Sequence, residues 1–192
     1  MTEIPVLQLE RLKRGFPGVS PVLGAAHYEA CLVCLHDQQH ESGVALAVKG
    51  TFETIFQLQW EESVTEQMQR AWQDLPLATE IAACGLAFLL MEALTDYVIL
   101  EKSVKTTGFD YWLTNKQNVS NPMEDFVLPK EARLEISGIL QAKSQATVQA
   151  RIRQKLNQTS VSDKTGFPAY IIVVEFSRPE VQVMKKWKTS NE

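Results

Sequence analysis

Only three cysteines occur in this 192-residue chain. So small and odd a number makes no disulfide framework, and a reducing, cytosolic setting is expected. Long apolar runs are missing as well. The most apolar stretch, Ile81 to Met91, is bounded by Glu80 and Glu92. It is too short to span a bilayer, so it reads as a buried helix and no membrane partner is expected. The first residues, MTEIPVLQLERLKRG, contain no continuous apolar segment and no small-residue cleavage site, so no signal peptide is expected. No Gly-rich phosphate loop, G-x-S-x-G elbow or H-E-x-x-H pair occurs. The usual sequence signatures of P-loop, α/β-hydrolase and zinc-peptidase chemistry are therefore lacking. Internal repeats and low-complexity tracts are absent too.

The chain is 45% hydrophobic and 22% charged, with a net charge of −4. That suits a single globular domain with its own core. The charge is unevenly placed. From Leu128 onward there are 11 Lys/Arg against 6 Asp/Glu, and before it 8 against 17. The acidic total argues against strong non-specific nucleic-acid binding, but the basic half can present a local patch. The expected partner is a protein or a second copy, with nucleic acid as an alternative through the basic C-terminal half.

Residues 1–25, with Pro5, Pro17 and Pro21, read as an irregular lead-in carrying a short helix at Leu7 to Lys13. Residues 26–74 read as an antiparallel meander plus a helix. HYEACLVCLH (27–36), GVALAVKG (43–50) and TFETIFQLQW (51–60) are its strands. In the third, Phe52, Phe56, Leu58 and Trp60 share one face, which should be the core face. Ser63 to Glu66 fits a capping box, followed by the stripe Val64, Met68, Trp72. Leu77 to Tyr97 is apolar nearly all round and is predicted to be the central helix, with Ala82, Leu86, Leu89 and Leu90 buried. Three strands follow: VILEKSV, GFDYWLT and ARLEISGIL, the last two separated by a turn-rich loop (116–131). Ser144 can cap a helix to about Gln158. AYIIVVEF reads as a doubly buried strand, SRPEVQVMKKW as a short edge strand, and 181–192 as a basic tail. The fold class expected is α/β (α+β), a mixed central sheet flanked by helices.

Two of these strands each hold a single acid in a largely apolar run, Asp110 and Glu135. The order from Leu77 onward is helix, three strands, helix, strand. With the acids on the second and third strands, residues from about 77 to 177 resemble the PD-(D/E)XK nuclease-like superfamily, and 75–180 are expected to form its restriction-endonuclease-like core. The resemblance implies that Asp110 and Glu135 hold Mg²⁺, assisted by a helix acid for which Glu80 is the candidate. It also implies a Lys two residues beyond Glu135 to orient the attacking water. A strand does put residue 137 on the same face as Glu135, but Ser137 stands there. Gln141, which shares the strand parity, and Lys155 or Arg151, on the next helix, are the possible substitutes. Two functions are consistent with this pattern. One is a degenerate, non-hydrolytic subunit or adaptor in nucleic-acid processing or defence. The other is a Mg²⁺-dependent nuclease. A protein-interaction module with no nuclease ancestry is a third class.

Each candidate has a structural alternative. Asp110 could accept backbone N–H bonds at a strand end. Glu135 could pair with Arg133, two residues away on its own face. Glu80 could favour a helix dipole from the first turn. Lys143, Arg151 and Arg153 are candidate nucleic-acid contacts or else a solvated helix face, and Lys185, Lys186 and Lys188 a solubilising tail. Cys31, Cys34, His36 and His40 are potential zinc ligands, but their compact spacing on one element favours core cysteines, so no zinc is expected.

Overall fold

The computed structural model describes residues 4–120 and 127–187. One eight-stranded mixed sheet runs through the chain in the order β1-β3-β2-β8-β7-β6-β5-β4. Its strands are β1 (Val6–Gln8), β2 (Val44–Gly50), β3 (Thr54–Gln59), β4 (Tyr97–Lys102), β5 (Tyr111–Asn115), β6 (Ala132–Ile139), β7 (Ala169–Glu175) and β8 (Glu180–Lys186). The helices are α1 (Pro21–Asp37), α2 (Glu66–Ala71), α3 (Leu75–Leu94), α4 (Lys116–Ser120) and α5 (Gln145–Thr159), with 3-10 turns at Leu9–Arg14 and Ser160–Thr165. The expected α+β class holds, with a mixed sheet and flanking helices.

α3 is the central helix. Asp74 caps it by accepting from the Leu77 amide, and Pro76 sits in its first turn, where a missing N–H costs nothing. Ala82, Leu86, Leu89 and Leu90 are all buried. Among the described residues it is the one helix long and apolar enough to cross a membrane, yet it is packed between α1 and the sheet. Gly138 of β6 lets its backbone approach closely: a Cβ there would lie 2.5 Å from the Thr79 carbonyl oxygen. Phe88 joins the layers edge-on, with ring centroids 5.8 Å from Phe16, 5.1 Å from His27 and 5.0 Å from Tyr111.

Several expectations are corrected. Residues 27–36 are not a strand but part of α1. Ser20 accepts from the Leu23 amide and Pro21 occupies the first turn, so the lead-in itself contains the helix start. The apolar all-round pattern reflects burial of the helix against α3 and the 3-10 turn. The meander is therefore a β2–β3 hairpin; Phe56 and Leu58 lie in the core, and Phe52 and Trp60 pack against it half-buried. Next, β8 is no edge strand. It sits between β7 (antiparallel) and β2 (parallel), joining the N-terminal hairpin to the rest of the sheet. Val181, Gln182 and Val183 are buried, so 181–186 is structure rather than tail, and Lys188 lies outside the described residues. Finally, the loop at 116–131 begins with α4, while its residues 121–126 lie outside the described residues. The α2 cap is also displaced: Thr65, not Ser63, accepts from the Met68 amide.

Candidate functional site

β6 carries two kinds of side chain on its two faces. Ala132, Leu134 and Ile136 enter the main core with α3. Arg133, Glu135 and Ser137 face α5 on the other side. A strand advances about 6.6 Å per two residues and a helix about 6 Å per four, so an antiparallel helix can meet alternate strand residues turn by turn. That matching occurs here. Arg151 donates to Ser137 Oγ at 2.7 Å. Lys155 Nζ donates to Glu135 Oε1 at 2.5 Å, and Gln158 Nε2 to the same oxygen at 3.0 Å. Arg133 meets the turn beyond α5: the Thr159 and Phe167 carbonyls, Ser162 Oγ and Asp163. Arg133 is thus fully engaged with other groups, and the Arg133–Glu135 pair is not formed.

Asp110 immediately precedes β5. The β5–β6 register (Tyr111 opposite Leu134, Trp112 opposite Arg133) places it across from Glu135. Its Oδ2 accepts the Ile136 amide at 2.8 Å, extending the ladder with a side chain where the strands part. Asp110 lines a cleft of about 560 Å³ together with Glu80, Ser137, Arg151 and Lys155. Glu135 lies beneath its floor, fully buried. Oε1 of Glu135 has two donors, whereas Oε2 is buried without a hydrogen-bond partner. Burial, and then the negative charge of Asp110, push the Glu135 carboxyl up to about 7, with Lys155 acting in the opposite sense.

The structure therefore brings together Asp110, Glu135, Ser137, Lys155, Arg151 and Glu80. Glu80 belongs to the second turn of α3, because the helix begins at Leu75, and it is exposed on the cleft wall. The other candidates do not join. β6 ends at Ile139, and Gln141 lines a separate hollow with Gln38, Gln39 and Ser177. Lys143 and Arg153 are exposed outside the cleft lining. Cys31 donates to the Ala82 carbonyl, Cys34 to Thr79 Oγ1, and His40 meets the Phe176 carbonyl, so these groups have separate partners. The cleft also contains residues that sequence reasoning missed: His27, Cys84, Lys102 and Tyr111. His27 comes from α1, whose helical nature was the missing signal. Its Nδ1 bonds the Ile81 carbonyl at 2.7 Å, and burial followed by the Lys102 charge lowers its pKa.

No family model, curated protein or solved structure matches this chain. The site must be judged by its own chemistry. No cluster of three or more His, Cys, Asp or Glu side chains suited to a metal forms among the described residues. A cation here would have two carboxylates from the protein and oxygens of water or phosphate for the rest, the arrangement Mg²⁺ commonly accepts. The orphaned Glu135 Oε2, across from Asp110, is an oxygen with bonding capacity left over, and so fits a hard cation.

Proposed function

We propose that the cleft is a Mg²⁺-dependent phosphodiesterase site of PD-(D/E)XK type, acting on nucleic acid in the cytoplasm. The observation that carries the reading is the approach of Lys155 to Glu135, 2.5 Å away, with Asp110 on the adjoining strand. A lysine on α5 thereby supplies the cation that Ser137 lacks. The element order α3, β4, β5, α4, β6, α5, β7 keeps the helix, three strands, helix and strand of the resemblance, with the five-residue α4 inserted between the second and third strands.

In this reading Asp110 and Glu135 hold the metal and Glu80 stands on the wall beside them. The metal, when bound, would lower the pKa of a water and neutralise phosphate charge. Lys155 opposes the upward shift of Glu135, so favouring its ionised form, and orients the attacking water. Arg151, anchored by Ser137, faces the substrate phosphate.

A second reading is favoured by a specific observation. Glu135 is fully buried, its Oε1 is already committed, and the motif position holds Ser137. A non-hydrolytic subunit or adaptor in nucleic-acid processing or defence, working with a protein partner or a second copy, would retain such a scaffold. The experiment is cleavage of single- and double-stranded DNA and of RNA with Mg²⁺ or Mn²⁺. Metal-dependent cleavage that is abolished in Asp110→Asn and reduced about 10²- to 10⁴-fold in Lys155→Met supports the nuclease. Metal-stabilised but inert protein supports the adaptor. Absence of both refutes the site.

A further inference from the structure

The cleft does not stop at the end of β4. Lys102 lines it and also lines a second hollow of about 790 Å³, bounded by Arg11, Arg14, the 15–21 turn and Leu100 to Lys102. This hollow is walled on one side by the N-terminal turn, which lies outside the nuclease-like segment, and on the other by β4, which lies within it. That turn is held in place: the Gly18 amide donates to the Ile99 carbonyl at 3.0 Å, covering the open edge of β4. Gly18 is needed for the approach, since a Cβ there would stand 2.4 Å from the Leu100 carbonyl oxygen.

The charges in the hollow are of two kinds. Arg11 is committed, bonded to Glu92 at 2.6 Å and lying over the Phe16 ring at 4.4 Å. Glu101 is paired with Lys130. Arg14 and Lys102 are exposed, and neither has a carboxylate partner among the described residues. In the cleft, Arg151 is bound to a neutral hydroxyl rather than to an acid. Three cations without acidic partners, Arg151, Lys102 and Arg14, therefore run from α5 past the end of β4 to the N-terminal turn. They do so in a chain with a net charge of −4, so the stripe is local and not a general basicity.

We infer that the hollow beside β4 holds the flanking phosphodiester backbone of one nucleic-acid strand whose reacting phosphate lies in the cleft, an inference that rests on the nuclease-type reading. A file of cations through two hollows that share Lys102 can track one backbone, as in single-strand binding channels. Arg14 and Lys102 contact successive phosphates outside the reacting centre. Arg11, held over the Phe16 ring, offers a planar cation on which a base can stack.

The test is fluorescence anisotropy with labelled oligothymidylates of three and twelve nucleotides, Ca²⁺ replacing Mg²⁺ to hold the hard-cation site without turnover. Arg14→Ala, an exposed change whose folding is checked by its melting curve, should weaken the twelve-mer roughly tenfold. It should also lower the salt slope by about 0.7, and leave the three-mer unchanged. Arg151→Ala should weaken both lengths. If Arg14→Ala binds the twelve-mer like wild type while Arg151→Ala does not, the track is wrong and the cleft reading stands. If wild type binds neither length, both fall. A duplex of equal length bound as tightly as the strand overturns the single-strand assignment.

Discussion

Replacing Glu135 by Gln isolates the most perturbed carboxyl in the cleft. The ordinary glutamate value is 4.5, and in the folded protein burial and Asp110 raise it to about 7. The folded state therefore keeps a proton that the unfolded state releases between those two values. Stability contributed by this group is complete below 4.5 and is lost as pH rises toward 7. At 1.36 kcal/mol per pKa unit the full loss is about 3 kcal/mol, most of it between pH 5 and pH 9. Glu135→Gln has the shape of the protonated acid and cannot ionise. Its stability relative to wild type should rise by that amount across the same range, because the pKa already includes the attraction of Lys155. Urea unfolding of both proteins at each pH unit gives the difference curve, in which titrating groups remote from Glu135 cancel. A curve flat to within about 0.5 kcal/mol would show that Glu135 ionises normally, and the argument from burial and Asp110 would fail. Mg²⁺ supplies a further discriminator: at pH 8 it should raise the melting temperature of wild type and leave Glu135→Gln unchanged.

Other expectations follow from packing and burial. Leu86→Asp should fail to fold, whereas Leu86→Ala should remain folded but lose about 2–5 kcal/mol by denaturant unfolding; a soluble, cooperatively melting Leu86→Asp protein would contradict its burial. Gly138→Ala should cost about 1–3 kcal/mol, since its methyl would press on the α3 backbone at Thr79; a neutral effect would mean the helix can withdraw from β6. Cys34 and Cys84, both raised to about 12 by burial, should react with a thiol reagent at pH 8 roughly a thousandfold more slowly in the native protein than after unfolding. Fast labelling of the native protein would show those thiols to be open.

Local pattern was enough for elements whose burial has a simple period. The β3 alternation around Phe56 and Leu58, the apolar α3, the β-branched β7 and the Val148/Ile152 stripe of α5 all report which face leaves water, and the structure buries those faces. The two acids stood out because a carboxylate in an apolar strand has a high desolvation cost and needs a partner. Residues 27–36 misled because a segment buried on all sides has no period to read; only Ser20-Pro21 upstream marked it as a helix. β8 misled in a different way. Its place between β7 and β2 depends on pairing with residues more than a hundred positions away, and nothing local distinguishes an edge from a centre. The partner of Glu135 was likewise a tertiary decision. Arg133 was nearer in sequence, but the turn after α5 captured it, and the matching repeats of strand and antiparallel helix delivered Lys155 instead. The sequence by itself determined which side chains must avoid water and which charges would be conspicuous. Only the packing of α1, α3 and α5 on one sheet decided which charges meet, because contacts between elements depend on crossing geometry and strand order rather than on spacing along the chain.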